Sequence, residues 1–272
     1  ATDEGLPGAG PIRRYEWFQN LWDRKRSGWA KLVQQDQGAL VFLGDSITQG
    51  WGDTMGGSFP GVKVANRGIS GDTTRGVLIR LREDVLSLNP SGVVLLIGTN
   101  DLEEKATPEV IADNLKLIIA ALKKHSADMP IILCNVMPSS AAKKRPADQI
   151  EKINQLYFAA VKGDAQVTML DTWLLFADDN GDAKKSEFPD LLHPNKTGYA
   201  KWAAALRPLL APHGFVETKP DNFHLEPGYV SLFNGHDLTG WGFRAKKTFK
   251  PTATFDGKKA SNDARYVAIN GR

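Results

Sequence analysis

Residues 39–48 read Ala39-Leu40-Val41-Phe42-Leu43-Gly44-Asp45-Ser46-Ile47-Thr48, a short apolar run that breaks into glycine, aspartate and serine where a helix would begin. Such a run, bounded by turn residues, reads as a strand covered on both faces. The same signature recurs at Val62 to Ala65, Val93 to Ile97, Ile131 to Val136 and Val167 to Leu170, so five strands are predicted. Longer segments with helical periodicity separate them. The clearest are Pro108 to Lys124, with Val110, Ile111, Leu115, Ile118, Ile119 and Leu122 on one face, and Ala147 to Val161, with Ile150, Ile153, Leu156 and Tyr157. A last helix, Lys196 to Leu210, follows His193-Pro194-Asn195. Strands alternating with helices specify a doubly wound α/β protein with a parallel sheet. Such sheets place their chemistry beyond the carboxyl ends of the strands.

Outside this alternating region the chain changes character at both ends. Residues 1–11 are rich in Gly and Pro, and Tyr15, Trp17, Phe18, Leu21, Trp22, Trp29, Leu32 and Val33 then recur with helical spacing. Residues 1–35 therefore read as an N-terminal segment with a packing helix, 36–213 as the α/β domain and 214–272 as a C-terminal extension. The 272 residues carry 34 Lys+Arg and 31 Asp+Glu, a net charge of +3 that gives no footprint for nucleic acid. All of that excess lies in the extension, with 9 Lys+Arg against 6 Asp+Glu, whereas residues 1–213 hold 25 of each. No segment approaches the roughly 18 apolar residues of a membrane span, and the start Ala1-Thr2-Asp3-Glu4 lacks the plan of a signal peptide. The single cysteine, Cys134, excludes an intrachain disulfide and a Cys-based zinc site, and its apolar neighbours make it buried filler.

The chemistry-bearing residues fall at strand ends. Ser46 follows the first strand and opens the next helix, a nucleophile's position, although a serine there is also an ordinary helix cap. A hydroxyl needs a base, a group that orients the base, and donors for the oxyanion. The best base is His193 in Asp190-Leu191-Leu192-His193-Pro194, because a carboxylate three residues ahead can curl back to the imidazole δ nitrogen and leave the ε nitrogen free. His125 ends a helix, and His213, His224 and His236 lie in or beside the extension. Donors are suggested by Asn66-Arg67-Gly68-Ile69-Ser70-Gly71-Asp72-Thr73-Thr74 after the second strand and Gly98-Thr99-Asn100-Asp101 after the third. There is no Gly-x-Ser-x-Gly elbow and no His-Glu-x-x-His zinc motif. Asp178-Asp179-Asn180-Gly181-Asp182 starts like a calcium loop, but Ala183 and Pro189 stand where glycine and a bidentate glutamate are needed.

Gly44-Asp45-Ser46-Ile47-Thr48, Ile69-Ser70-Gly71-Asp72-Thr73, Gly98-Thr99-Asn100-Asp101 and Asp190-x-x-His193-Pro194 together resemble the four blocks of the SGNH (GDSL) hydrolases, in order. The resemblance runs from about residue 36 to residue 211. It implies a flavodoxin-like three-layer α/β/α sandwich with a five-stranded parallel sheet. It makes Ser46 the nucleophile, His193 the base and Asp190 its orienting acid. The N–H groups of Ser46 and Gly71 and the amide of Asn100 would form the oxyanion hole, with Gly68 as a fallback for Gly71. The implied reaction is acyl transfer through an acyl-enzyme, with no metal or organic cofactor. The Gly71-Asp72-Thr73-Thr74-Arg75 wording and the Trp-rich leading helix are most similar to the platelet-activating-factor acetylhydrolase-like subgroup, whose relatives include bacterial acetylesterases acting on carbohydrates.

Trp51 and Arg75, just behind two of the blocks, are candidates for the pocket wall, or equally for core packing and a surface ion pair. The short Gly/Ser-rich turns give no sign of an apolar lid, so a shallow cleft and short acyl groups, acetyl first, are expected. Tyr229-Val230-Ser231-Leu232-Phe233-Asn234-Gly235-His236-Asp237-Leu238-Thr239-Gly240-Trp241 resembles the opening of a glycan-associated jelly-roll domain of the keto-disaccharide hydrolase type, too short here to close a sandwich. The expectation is a chain cut within a longer protein, with a strand-like or irregular extension. The expected substrate is a small-molecule or glycan ester such as acetylated xylan, and the expected compartment is periplasmic or extracellular. A lysophospholipase or thioesterase would use the same residues, and a catalytically idle glycan-binding protein would keep only the fold.

Overall fold

The computed structural model describes residues 3–217, 238–244 and 251–258. The chain divides into two compact units, one of Ala1–Val161 with Ala165–Val216, the other of Lys162–Asp164 with Glu217–Arg272. The first unit is built on five parallel strands, β1 (Leu40–Gly44), β2 (Val64–Gly68), β3 (Gly92–Leu96), β4 (Ile131–Cys134) and β5 (Val167–Leu170), in the order β2-β1-β3-β4-β5. That is the flavodoxin-like order, whose switch point, between β1 and β3, opens a crevice at the strand ends.

Alternation along the strands sends successive side chains to opposite faces, and both faces are apolar. Val41, Leu43, Val93, Leu95, Ile131 and Leu133 pack on the layer that contains α3 (Thr74–Asp84), α5 (Pro108–His125) and α6 (Ala147–Val161). Leu40, Phe42, Val94, Leu96, Ile132 and Cys134 pack on the other, with Trp202 and Leu206 of α8 (Lys196–Leu210). Three layers with the sheet in the middle account for the unbroken apolar strands. Among the described residues, no helix is long and apolar enough to cross a membrane.

Two strands depart from the expected spans by more than one residue, for reasons of hydrogen bonding. β2 runs on through Asn66 and Arg67, polar residues that an apolar-run reading leaves out. Both are buried with partners: the Asn66 amide donates to the carbonyls of Thr48 and Gly52 at 2.8 and 2.9 Å, and Arg67 pairs with Asp36 at 2.6 Å. β4 stops at Cys134 instead of Val136 because the side chain of Asn154 takes both backbone groups of Val136, at 2.8 and 3.0 Å. Cys134 is fully buried, and burial pushes its thiol up to about 12.

The N-terminal segment is stitched to this unit by side chains acting on its backbone. Asn114 on α5 exchanges two hydrogen bonds with Ala9, at 3.0 and 2.8 Å, as a neighbouring strand would. Arg75 donates to the carbonyls of Pro7 and Gly10 and pairs with Asp3, so it clamps the segment and is no part of the cleft wall. The leading helix α1 (Glu16–Ala30) ends before Leu32 and Val33, which lie in turns. Its Phe18 and Trp29 pack with Ile69, and the guanidinium of Arg67 lies 5.0 Å from the Trp29 ring. Trp51 is core, stacked on Trp202 at 4.5 Å and Tyr199 at 5.3 Å.

In the second unit, the strands Gly242–Arg244 (β6) and Pro251–Thr254 (β7) pair antiparallel, with Leu238 and Phe255 buried. Residues 229–237 of the jelly-roll-like stretch, with His224 and His236, lie outside the described residues.

Candidate active site

The serine is placed by a turn with no spare room. A side chain on Gly44 would put its Cβ 2.3 Å from both the Leu96 carbonyl and the Thr48 hydroxyl, so β1 passes directly into the one-turn helix α2 (Ser46–Gln49). The buried Asp45 caps this helix, its carboxylate accepting from the Ile47 N–H at 2.9 Å. Ser46 is thereby the first residue of α2, at the carboxyl end of a central strand, and it lines a cleft of about 420 Å³.

His193 reaches Ser46 from the turn that precedes α8. Its Nε2 lies 2.9 Å from the Ser46 hydroxyl and its Nδ1 lies 2.7 Å from Asp190 Oδ2. The second Asp190 oxygen accepts from the backbone N–H groups of Leu192 and His193, at 3.0 and 2.7 Å. Leu191, between them, is held at φ 63°, a conformation that costs an L residue roughly 1–2 kcal/mol. It is anchored there by Ser139, whose hydroxyl donates to its carbonyl at 2.7 Å. The structure thus brings Ser46, His193 and Asp190 into one hydrogen-bonded line. The ring and the carboxylate face solvent, with 43% and 46% of their side chains exposed. Partial burial raises the pKa of Asp190, but the N–H groups and ring of His193 and the N–H of Leu192 outweigh it and hold it at about 2.

Gly71 and Asn100 line the same cleft as Ser46. Gly71 sits at φ 88°, and a Cβ there would come within 2.7 Å of the Trp17 ring and 2.9 Å of Arg13, so only glycine suits the position. Among the described residues the N–H groups of Ser46 and Gly71 meet no acceptor, and both residues line the cleft. Gly68 is different: its N–H is spent on Asn66 Oδ1 at 2.9 Å, and its Cα faces the backbone of Gln49. The Asn100 amide, on α4 (Thr99–Glu103), donates one hydrogen to the Asp72 carbonyl at 2.9 Å. Its oxygen accepts from Arg145 at 3.0 Å. An amide carries two N–H bonds, so one remains unspent on an amide that two partners hold in place and that lines the cleft.

Behind these loops lies a buried polar layer that spacing in the sequence does not reveal. Asp72 pairs with Arg80 at 2.8 Å, both fully buried, and Arg80 also donates to the carbonyls of Gly44 and Arg67. Asp101 accepts from the N–H of Thr74 at 3.0 Å and from its hydroxyl at 2.5 Å. Loss of water raises Asp72 to about 6 against the pull of Arg80, and raises Asp101 to about 7 against its bonds from Thr74. Asp45 is likewise raised by burial to about 6, against the Ile47 N–H and the charges of His193, Arg145 and Arg13.

The cleft also has walls that the sequence blocks did not mark. Arg13 and Trp17 come from the N-terminal segment and Lys143, Lys144 and Arg145 from the turn after β4. Arg13 and Arg145 both pair with Glu103, Arg145 at 2.9 Å. Partial burial opposes ionisation of Glu103, but these guanidiniums prevail and lower its pKa. Among the described residues, no group of three or more His, Cys, Asp or Glu is placed to hold a metal ion. The Asp178 carboxylate accepts from the N–H groups of Asn180 and Asp182 within its own exposed loop.

Residues 42–201 match the GDSL-like lipase/acylhydrolase family. Over 178 residues the chain is 30% identical to platelet-activating factor acetylhydrolase IB subunit alpha2 of cattle and human, covering 63% of this chain and 75% of the relative. It is 31% identical over 112 residues to an arylesterase of Vibrio mimicus, covering 37% of this chain and 56% of that one. Two crystal structures share the fold. A GDSL-like lipase of Bacteroides thetaiotaomicron superposes with a TM-score of 0.59 at 24% identity, over 71% of this chain and 96% of that one. An acetylxylan esterase of Geobacillus stearothermophilus superposes with a TM-score of 0.52 at 20% identity, over 67% and 97%. Family match, fold and strand-end site agree: the chain belongs to the GDSL-like lipase/acylhydrolase family and is a carboxylic ester hydrolase.

Proposed function

We propose that the enzyme removes short acyl groups, acetyl first, from a hydroxyl-bearing substrate such as a carbohydrate, through a Ser46–His193–Asp190 triad and a covalent acyl-enzyme. The observation that carries this reading is the continuous line from the Ser46 hydroxyl through His193 to Asp190, at 2.9 and 2.7 Å. Ser46 Oγ attacks the ester carbonyl while His193 Nε2 takes its proton. Asp190, ionised at any working pH, fixes the tautomer and stabilises the imidazolium. The carbonyl oxygen becomes an oxyanion and is met by the N–H groups of Ser46 and Gly71 and by the Asn100 amide. His193 returns the proton to the departing alkoxide, and water, activated the same way, releases the acid and restores Ser46.

A short acyl group is supported by the lining of the cleft: beside Trp17 and Leu192 stand Ser46, Ser70 and Asn100, whose polar groups a long alkyl chain would leave unsatisfied. The likeness to an acetylxylan esterase and to platelet-activating factor acetylhydrolases is in keeping with an acetyl ester. The test is hydrolysis of 4-nitrophenyl esters from acetate to laurate, with the Ser46→Ala protein as the blank. A steep preference for acetate that vanishes in the variant is expected. A preference for laurate would overturn the short-acyl assignment, and equal turnover by the variant would overturn the triad.

A further inference from the structure

We propose that the alcohol part of the substrate carries an anionic group, a carboxylate or a phosphate, and that the Lys143–Lys144 turn receives it. The inference rests on the acetyl-ester reading above, since an acetyl group has no room for a charge and leaves only the alcohol part to bear one.

Charge on this unit is distributed unevenly. Residues 1–213 hold 25 cationic and 25 anionic side chains, yet four cations, Arg13, Lys143, Lys144 and Arg145, line the cleft against one anion, Glu103. The arginines are already committed. Arg13 pairs with Glu103 and Glu104, while Arg145 donates to Glu103, Asn100 and the carbonyls of Thr99 and Lys143. Asp190, the other carboxylate near Ser46, is paired with His193. Lys143 and Lys144 have no carboxylate partner among the described residues, so two ammonium charges remain uncompensated at the edge of the cleft.

The turn that carries them is constructed, not slack. The N–H groups of Lys143 and Arg145 both bond the Ser140 carbonyl at 3.0 Å, and that of Lys144 bonds Ala141 at 2.9 Å. The Arg145 guanidinium closes the loop by donating to the Lys143 carbonyl at 2.6 Å. Lys144 is held at φ 59°, a left-handed conformation unfavourable for an L residue. The same guanidinium orients Asn100, so the anion-receiving turn and the proposed oxyanion donor share one anchor. Two ammoniums carried by an ordered turn on the cleft that holds Ser46 favour an anion over a neutral group of the same shape.

The experiment compares three acetates, 4-acetoxybenzoate, 4-acetoxyphenyl phosphate and the neutral methyl 4-acetoxybenzoate. The proteins are the wild type, the Lys143→Ala/Lys144→Ala and Lys143→Arg/Lys144→Arg doubles, and Ser46→Ala as the blank. The ratio of kcat/KM for each anionic ester to that for the neutral one cancels intrinsic reactivity when compared between proteins. In the alanine double this ratio should fall about 10- to 30-fold, two charge contacts at near-aqueous screening, and the arginine double should keep it. Because the phosphate bears nearly twice the charge of the carboxylate, a phosphate loss beyond the square of the carboxylate's identifies a phosphate, and a smaller one a carboxylate. Added salt should shrink the wild-type preference. Ser46-dependent turnover of the neutral ester with a ratio unchanged in the alanine double would overturn the anion proposal alone. No Ser46-dependent turnover of any of the three would overturn the acetyl-ester reading as well.

Discussion

The Ser46–His193–Asp190 line and the polar layer behind it place the same residue type in opposite surroundings. Asp190 sits half in water and is driven down to about 2, because partial burial is outweighed by two backbone N–H groups and the imidazole. Asp72 and Asp101 are sealed from water and driven up to about 6 and about 7, although one touches a guanidinium and the other a hydroxyl. The difference between them is a balance: at Asp190 the donors together exceed the cost of partial burial, while at Asp72 and Asp101 full burial exceeds the pull of their donors. The exposed aspartate can keep a charge beside His193 at any working pH, and the buried ones hold loops in place.

Substitutions should separate the two regions. Ser46→Ala strikes the exposed line and should lower kcat on the order of 10⁶-fold with little change in stability, read from turnover and thermal melting. Arg80→Met strikes the buried layer: it leaves Asp72 without its partner and should cost about 3–5 kcal/mol of stability in urea unfolding. Adding Asp72→Asn should restore part of that loss; a double variant as unstable as the sum of the singles would show that the pair is not coupled. Asn100→Ala, at the junction of the regions, should lower kcat by about 10²- to 10³-fold at nearly constant KM.

The pH dependence of stability separates the same carboxylates. Asp45, Asp72 and Asp101 have folded pKa values of about 6 to 7, above the unfolded value of 3.8. The folded chain therefore holds protons that the unfolded chain has released, and their contribution declines as pH rises from about 4 to 7. Asp190 acts in the reverse sense. Its folded value of about 2 contributes above 3.8 and is lost as pH falls toward 2. Asp101→Asn keeps an acceptor for Thr74 and removes one titration, so the change in urea midpoint between pH 5 and 7.5 should be smaller than in the wild type. An identical change would mean that Asp101 does not titrate in that window.

Much of this was legible before any coordinates. Five short apolar runs with helices between them specified the parallel sheet, because a strand buried on both faces has no polar alternation to disguise it. Val167–Leu170, Ala147–Val161 and Lys196–Leu210 have the same limits in the chain pattern and in the structure. Ser46 and Asn100 are legible because they follow strand ends, which in one sheet must share an edge; Asp190 and His193 are legible as a pair before the last helix, and Gly71 is preferred to Gly68 on the family resemblance.

Local pattern also determined Asp190 with His193, since three residues in a turn are enough to bring carboxylate to imidazole. What the tertiary structure alone decided was everything that depends on distant segments meeting. Arg13 and Trp17 reach the cleft because Asn114, Arg75 and Thr73 bind the backbone of the N-terminal segment and Glu103 and Glu104 hold Arg13. Arg145 orients Asn100 across 45 positions, and Arg80 neutralises Asp72 under a sheet edge. Such contacts have no period and no fixed spacing. Their partners are selected by the packing of whole layers, which a linear pattern of apolar residues specifies in outline but not in its polar detail.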